Sequence, residues 1–382
     1  MLDMDSHKNT KADLDNPKAF KHLFGESLLK RIADSIYNFY PSFNRKRFIK
    51  LSSELIPLEM KPRVWLIRNE LRALLPNYYT EAVNILLKST SDGTLSGFDL
   101  WPYTEFVQTY GLDDPELSLN VLKKFTAIFT SEWAVRPFLK HYPDKTLLFL
   151  LRCCEDSDVH VRRWASEGSR PRLPWGERLH NFIRDPTHTV KILEKLKFDS
   201  ELFVRKSVAN HLNDIAKDHP EHVIAILKDW KQSAKEVELE RLNWVIYRAL
   251  RTLIKAGNPK ALKLIGVSHA ASIKLQKFRI IKEGITLGET LEFEIQLCSK
   301  AARPQKLVID YIMHFVKSNK KTAPKVFKLR TLKIAAKGVM IIKKSHRIKN
   351  ITTRLYYAGV QHLEIQVNGK VLGKASWNLR IS

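Results

Sequence analysis

Residues 161–179, which read VRRWASEGSRPRLPWGERL, are the part of the sequence richest in side chains that could do chemistry. The segment begins as a helix, on which Arg163 and Glu167 are four residues apart and therefore share a face. Gly168 and Pro171 then end the helix early. An oppositely charged pair is thus expected near the end of a shortened helix.

The loop after this helix carries Arg170, Arg172 and Trp175. Ending a helix early to place such side chains on a loop costs local stability, and departures of this kind are commonly functional. A purely structural interpretation stays open for two of the residues. Glu167 could serve only as the ion-pair partner of Arg163, and Trp175 could be a buried anchor of the loop.

The helix that positions this segment is repeated along the chain. Residues 156–163, DSDVHVRR, recur 43 positions later as DSELFVRK at residues 199–206. A period of about 40–47 residues built from pairs of helices is typical of HEAT-type solenoids. Asp156 or Ser157 is predicted to cap the following helix, and Val245 continues the pattern into a third unit. A solenoid offers one long concave face, which is a suitable shape for binding a duplex.

Two arginines occupy the same place in the two repeats. Arg162 and Arg205 each follow the valine that opens the helix. Because both arginines occupy the same place in their repeats, we expect each to be a structural partner of a neighbouring aspartate. They are therefore left out of the candidate site.

Two kinds of periodicity divide the chain. From residue 19 to about residue 275, apolar residues recur at spacings of three and four, which predicts packed helices. The predicted strands are residues 291–297, 307–315 and 326–334, followed by a hairpin at residues 363–371 that turns on Asn368 and Gly369. The sequence therefore predicts a mostly α fold. A HEAT-like α-solenoid at residues 19–275 precedes a small all-β sandwich at residues 276–382, and residues 1–18 form a disordered extension.

The charge of the chain predicts a polyanionic partner. There are 65 Lys and Arg residues against 40 Asp and Glu, a net charge of +25. From residue 271 to the end, 23 Lys and Arg face six Asp and Glu, so the predicted sandwich carries most of the excess. Nucleic acid or an anionic membrane surface would suit such a chain. The alternative is a basic soluble protein whose charge has no specific partner.

Several other classes of protein are poorly supported. No stretch reaches the ~18 apolar residues of a membrane span, and the N-terminus has no apolar signal core, so we expect a cytoplasmic location. The three cysteines form no CxxC pair, which argues against a zinc site and a disulfide framework. There is no phosphate-binding glycine loop before a helix and no HxxxH motif. We therefore expect no metal and no cofactor.

Two longer motifs carry a resemblance to a known family. Residues 165–175, ASEGSRPRLPW, and residues 129–138, FTSEWAVRPF, resemble the signatures of the AlkC-type DNA alkylation repair glycosylases. Residues 110–114 and 244–251 fit the same family. Residues 356–369 resemble the immunoglobulin-like domain that one branch of it carries at the C-terminus. The resemblance extends from about residue 19 to the end of the chain.

The resemblance implies a monofunctional glycosylase that hydrolyses the N-glycosidic bond of cationic N-alkylated bases, such as 3-methyladenine and 3-methylcytosine, in duplex DNA. A positive base already weakens its bond to the sugar, so a carboxylate that stabilises an oxocarbenium-like sugar and positions water would suffice. Glu132 and Glu167 match the acidic positions of the family, and Trp175 would pack on the sugar or the base. From the residues alone, Glu132 could instead only place negative charge at a helix N-terminus.

The remaining candidates would bind DNA. The arginines expected to hold phosphates around the lesion are Arg136, Arg163, Arg170 and Arg172. In the basic sandwich, Lys317, Lys320 and Lys321 in one turn, and Lys343, Lys344 and Arg347 in another, could reach across a duplex held by the solenoid; the alternative is a solvated basic face. A monomer would suffice.

Two other functions stay open. The chain could be a non-catalytic HEAT-repeat protein that recognises bent or damaged DNA by shape and charge. It could also be a scaffold for other proteins, although its charge argues against that. Release of free methylated base from alkylated DNA would separate the enzyme from both alternatives.

Overall fold

The computed structural model describes residues 19–351 and 354–381. The described residues group into two compact units, which divide between His211 and Leu212. The predicted disordered extension at residues 1–18 lies outside the described residues. The first strand begins at Ile273, and the domain boundary between residues 275 and 276 stays a prediction.

Helices with an apolar stripe build the first unit. In Glu26–Tyr37, for example, Leu28, Leu29, Ile32 and Ile36 are buried at the spacings of three and four seen in the sequence. The helices are Glu26–Tyr37, Arg45–Lys50, Ser52–Leu55, Met60–Leu74, Tyr79–Lys88, Trp101–Tyr110, Pro115–Thr126, Arg136–His141, Pro143–Cys153, Val159–Gly168, His180–Arg184 and Thr187–Leu196, with 3-10 turns at Phe20–Leu23 and Gly97–Leu100. One more helix, Leu202–Ile215, runs across the division between the units.

The two repeated helices are Val159–Gly168 and Leu202–Ile215, and the first is shorter, as predicted. Its cap differs from the prediction. The side chain of Asp158 accepts hydrogen bonds from the backbone N–H groups of His160 and Val161, at 2.7 and 3.3 Å. Asp156 instead accepts from the backbone of Asp158, because it lies two residues too early to reach the helix. The predicted cap at Asp156 or Ser157 was therefore wrong.

The structural role predicted for Arg162 and Arg205 is confirmed. The guanidinium of Arg162 pairs with the carboxylate of Asp199 at 2.7 Å and donates to two carbonyls in the turn before its own helix. Arg205 donates to the two corresponding carbonyls one repeat later, one of which belongs to Asp199. The same contact thus ties each repeat to its preceding turn.

The second unit contains helices followed by two sheets. Its further helices are Pro220–Ser233, Glu236–Ala249, Arg251–Lys255 and Pro259–Leu264. The strands are β1 Ile273–Ile280, β2 Gly284–Thr286, β3 Thr290–Ser299, β4 Gln305–Val316, β5 Thr322–Ile334, β6 Val339–Arg347, β7 Gly359–Val367 and β8 Lys370–Arg380. One sheet has the order β1-β3-β6 and the other β2-β8-β7-β4-β5, and every pairing is antiparallel except β2 with β8. The predicted fold class, helical repeats followed by an all-β sandwich, is confirmed.

The apolar residues that alternate along the predicted strands form the core of the sandwich. Leu291, Phe293, Ile295 and Leu297 of β3 all point into the core. The β7–β8 hairpin turns on Asn368 and Gly369, whose φ angles are +48° and +83°. Gly369 also approaches the backbone of Gly257, and a Cβ there would lie 2.1 Å from the Cα of Gly257. Only glycine satisfies both the turn and this contact.

The basic residues of the sandwich occupy two different settings. Lys317, Lys320 and Lys321 lie in the turn between β4 and β5, as predicted. The other predicted basic turn was wrong, because Lys343, Lys344 and Arg347 lie on β6 itself, which pairs with β3 along its length. Strand pairing requires an extended backbone there, whatever the local charge.

No helix in the described ranges is long and apolar enough to cross a membrane.

Candidate active site

Two buried carboxylates form the centre of the candidate site. Glu132 and Glu167 are 7% and 6% exposed. Glu167 lies at the end of the helix Val159–Gly168, whereas Glu132 belongs to the irregular segment before Arg136–His141. That segment is fixed by Ser131, whose hydroxyl donates to the carbonyl of Leu122 at 2.9 Å. Neither carboxylate therefore sits on a mobile surface side chain.

A single guanidinium joins the two carboxylates. Arg163 Nη1 lies 2.8 Å from Glu132 Oε2, and its Nη2 lies 3.6 Å from Glu167 Oε1. Thr130 donates to Glu132 Oε2 at 2.8 Å and accepts from Arg163 Nη1 at 3.3 Å. The guanidinium also lies over the ring of Phe203, 4.8 Å from its centroid. Residues 35 positions apart in the sequence are thereby brought to one cation.

A second arginine keeps Glu167 ionised. Arg170 Nη1 donates to Glu167 Oε1 at 2.5 Å. Burial by itself raises the pKa of Glu167, but the charges of Arg170 and Arg163 outweigh it, so the pKa lies below the ordinary value. The site thus contains a buried carboxylate that stays negative at neutral pH.

A neutral histidine lies behind this carboxylate. His211 is buried, and burial followed by the charge of Arg170 lowers its pKa to about 3. Its Nδ1 lies 2.9 Å from the carbonyl oxygen of Ser166, the residue before Glu167. Ser207, four residues earlier on the same helix, donates to the hydroxyl of Ser166 at 3.0 Å. The sequence does not reveal this contact of His211 and Ser207, because only the packing of the two repeats brings them to Ser166.

Two of the predicted phosphate ligands are instead internal. Arg136 is 1% exposed; its Nε donates to the carbonyl of Glu177 at 2.6 Å, and its Nη1 donates to those of Gly168 and Arg170 at 2.9 Å each. This burial leaves Arg136 no surface with which to reach a phosphate. Arg170 is likewise buried against Glu167. Both predictions are corrected. Arg136 is engaged by backbone carbonyls of residues 168, 170 and 177, and Arg170 is engaged by the carboxylate of Glu167.

The two other arginines differ in what they expose. The guanidinium of Arg163 is largely enclosed by the two carboxylates that it joins, so we assign it to them rather than to phosphate. Arg172 is half-buried and keeps part of its surface open to solvent. Arg172 stays a predicted phosphate contact.

Trp175 is presented to solvent rather than buried. Its side chain is 61% exposed and its φ angle is +62°. The ring stacks on that of Trp133, with centroids 6.4 Å apart and an interplanar angle of 23°. The alternative interpretation of Trp175 as a buried loop anchor is therefore wrong. Sequence reasoning did not single out Trp133, although it directly follows Glu132.

The candidate site contains two negative side chains and an exposed aromatic ring. The described part of the chain holds no group of three or more His, Cys, Asp or Glu side chains that could bind a metal ion. Two carboxylates held by arginines can stabilise a developing cation and hold a water molecule. The exposed indole of Trp175, which stacks on the residue after Glu132, can pack on a flat or cationic group.

Comparison with known proteins identifies the family. A solved structure of the alkylpurine DNA glycosylase AlkC from Pseudomonas fluorescens, bound to DNA containing an abasic site analog, is 39% identical in sequence. The match covers 95% of this chain and 99% of that one, with a TM-score of 0.89. The chain belongs to the AlkC family. The resemblance drawn from residues 129–138 and 165–175 is thus confirmed.

Two further matches agree with membership of the AlkC family. The protein YhaZ of Bacillus subtilis (strain 168) is 38% identical over 354 residues, which is 92% of this chain and 96% of YhaZ. Residues 274–381 match the family described as "Uncharacterised protein YhaZ, C-terminal Ig-like domain". The sandwich of this AlkC-family chain is therefore immunoglobulin-like, as the resemblance implied.

Proposed function

We propose that this AlkC-family protein is a monofunctional DNA glycosylase that removes cationic N-alkylated bases, such as 3-methyladenine and 3-methylcytosine, from duplex DNA. The observation that carries the proposal is the pair of buried carboxylates, Glu132 and Glu167, held on the guanidinium of Arg163. The related AlkC structure was solved with DNA containing an abasic site analog, which resembles the product of base removal. The AlkC family and the geometry of the carboxylates support the same reaction.

The proposed reaction is a hydrolysis at C1′ of the sugar. The bond from C1′ to the base nitrogen breaks, and its electron pair neutralises the cationic base. The sugar becomes positive in the transition state, and the negative charge of Glu132 and Glu167 stabilises it. Water then bonds to C1′ and loses one proton, which a carboxylate can accept before passing it to solvent. No covalent enzyme intermediate is needed.

Each carboxylate is tested by a change that keeps its size and removes its charge. Glu132→Gln and Glu167→Gln should each lower the single-turnover rate of base release by at least about tenfold, which corresponds to about 1.4 kcal/mol of transition-state stabilisation. Affinity for the duplex should change little, because carboxylates do not attract phosphates. Glu177→Gln is the matched control, since Glu177 is exposed and pairs with Lys140 outside the carboxylate pair.

The assay measures free methylated base released from duplexes that carry a single defined lesion, with enzyme in excess. Two glutamine variants as fast as the wild type would refute the roles of Glu132 and Glu167. A wild-type protein that binds alkylated duplex but releases no base would favour the alternative, a non-catalytic protein that recognises damaged DNA. Separate 3-methyladenine and 3-methylcytosine substrates would define the lesion preference.

We also propose that the immunoglobulin-like domain contributes contacts to the DNA backbone and that one chain suffices for the reaction. The turn at residues 317–321 places Lys317, Lys320 and Lys321 between β4 and β5. On β6, Lys343 lies 3.6 Å from Glu294, and Arg347 donates to the carbonyl of Gly288 at 3.1 Å, so part of that charge is already engaged. The turn is therefore the stronger candidate of the two basic groups.

A further inference from the structure

The loop that presents Trp175 is held by donors from distant parts of the first unit. The indole Nε1 of Trp133 donates to the carbonyl of Pro174 at 3.1 Å. Lys61 Nζ, from the helix Met60–Leu74, donates to the carbonyl of Trp175 itself at 2.8 Å. As described above, Arg136 holds the carbonyl of Glu177. Three of the four successive carbonyls from residue 174 to residue 177 are thus fixed by side chains outside the loop.

This fixation is needed because Trp175 has a strained backbone. Its φ of +62° lies in the left-handed region, which bulky residues rarely adopt. Such a conformation costs on the order of 1–3 kcal/mol and persists only where the surroundings determine it. A loop under no constraint would relax and let the indole turn away.

The indole is held by stacking as well as by its backbone. Trp101 is buried and stacks on Trp133, with centroids 5.0 Å apart and an interplanar angle of 26°. Trp133 in turn stacks on Trp175. At the inner end, Trp101 Nε1 donates to the buried carboxylate of Glu105 at 3.3 Å. Three rings therefore form a column from the core to the surface, and the outer ring is the exposed one.

We infer that Trp133 is a positioning residue for Trp175: it supports the exposed indole from behind and holds its loop through the carbonyl of Pro174. Trp133 need not touch DNA to do so. The inference rests on the proposed function, because Trp175 is expected to pack on the sugar or the base there. Trp133 is thus an additional residue of the site, and it acts only through Trp175.

A double-mutant cycle tests this dependence. Trp133→Leu removes both the stack and the hydrogen bond and should lower single-turnover base release by at least about fivefold, with a smaller change in duplex affinity. In a Trp175→Ala background the same change should have almost no further effect, because residues that act as a unit are not additive. Trp133→Phe keeps an aromatic ring and should recover most of the rate. Equal fold losses in both backgrounds would overturn the inference.

A second readout does not depend on catalysis. Stacked indoles give an exciton couplet in the circular dichroism spectrum, which Trp133→Leu and Trp175→Ala should both reduce. Phe149→Leu is the control, because it truncates another half-buried ring of the same unit, packed edge-on against Trp164 at 6.3 Å. If the wild type released no base, the proposed function would fail, yet the couplet would still report whether the indoles of Trp133 and Trp175 are stacked in solution. A couplet unchanged in Trp133→Leu would overturn the inference.

Lys61→Met gives an independent variant should Trp133→Leu fold poorly. It removes the donor to the carbonyl of Trp175 from a half-buried surface position. We expect Lys61→Met to lower the rate of base release by about threefold or more at an unchanged melting temperature. In the Trp175→Ala background, the same substitution should have almost no effect on the rate. A Lys61→Met protein as fast as the wild type, together with additive losses for Trp133→Phe, would refute the positioning of Trp175 by its surroundings.

Discussion

Arg163→Met is the change that probes the centre of the site most directly. Methionine retains much of the length and apolar surface of the arginine but removes the charge that Glu132 and Glu167 share. The thioether side chain of the methionine can still pack on Phe203. Both carboxylates keep their places on the backbone, so the electrostatic contribution is separated from the position of the acids.

The expected magnitude follows from the distances. At an effective dielectric constant of about 20, unit charges 2.8 and 3.6 Å apart attract by about 6 and 5 kcal/mol. The guanidinium is partly open to water, and Arg170 still compensates Glu167, so a net loss of about 2–3 kcal/mol in folding stability is a reasonable expectation. The pKa of Glu167 should rise, because the charge of Arg163 is one of the causes that lower it.

The sign of the pH dependence is fixed by this pKa. In the wild type the pKa of Glu167 lies below 4.5, so its ionised form contributes stability above that pH and the contribution is lost as the pH falls. The wild-type rate of base release should therefore have its acid limb below pH 4.5. In Arg163→Met the limb should move to higher pH, because one of the two cations that lower the pKa of Glu167 is removed.

The assay is single-turnover base release from about pH 4 to about pH 9. Arg162→Met is the matched control, because it removes the same charge from the neighbouring position of the same helix but breaks a pair with Asp199 instead. It should lower stability without moving the acid limb. An Arg163→Met enzyme whose profile coincides with that of the wild type would show that Arg163 does not lower the pKa of Glu167.

Two other predictions concern the immunoglobulin-like domain. Asp310 is buried in β4, and burial raises its pKa from 3.8 to about 6 despite the charges of Lys255 and Lys328. Its ionisation therefore costs about 3 kcal/mol of folding stability, and this stability is lost as the pH rises from about 4 to above 6. Asp310→Asn should raise the melting temperature at neutral pH and raise it much less below about pH 4. An equal rise at both pH values would contradict the raised pKa of Asp310. Lys317, Lys320 and Lys321, in the turn at residues 317–321, can be replaced together by glutamine. The slope of the logarithm of the DNA-binding constant against the logarithm of the salt concentration should then become smaller by up to about 3, because each neutralised phosphate contributes about 0.9. An unchanged slope would exclude the turn from the DNA interface.

Much of the architecture could be predicted from the sequence, because repeats and strands follow local periodicity. The offset of 43 residues between DSDVHVRR and DSELFVRK identified the repeated helices and the structural arginines Arg162 and Arg205. Period-two alternation and an Asn-Gly turn located most of the sandwich. The exceptions are local: charge suggested a turn at Lys343 and Lys344, where pairing with β3 imposes a strand.

The candidate acids could be recognised in the sequence, but only their resemblance to a family singled them out. How these acids are held depends on the tertiary structure. Glu132 and Glu167 are 35 positions apart, and no periodicity predicts that one guanidinium lies between them.

The same holds for the charges and rings around the acids. A sequence gives no means of telling an arginine that reaches solvent from one, like Arg136, that is buried under the carbonyls of a loop. Nor does it show that Trp101, Trp133 and Trp175 stack in one column. Burial and stacking depend on which helices meet, and that depends on the packing of the whole unit rather than on any local pattern.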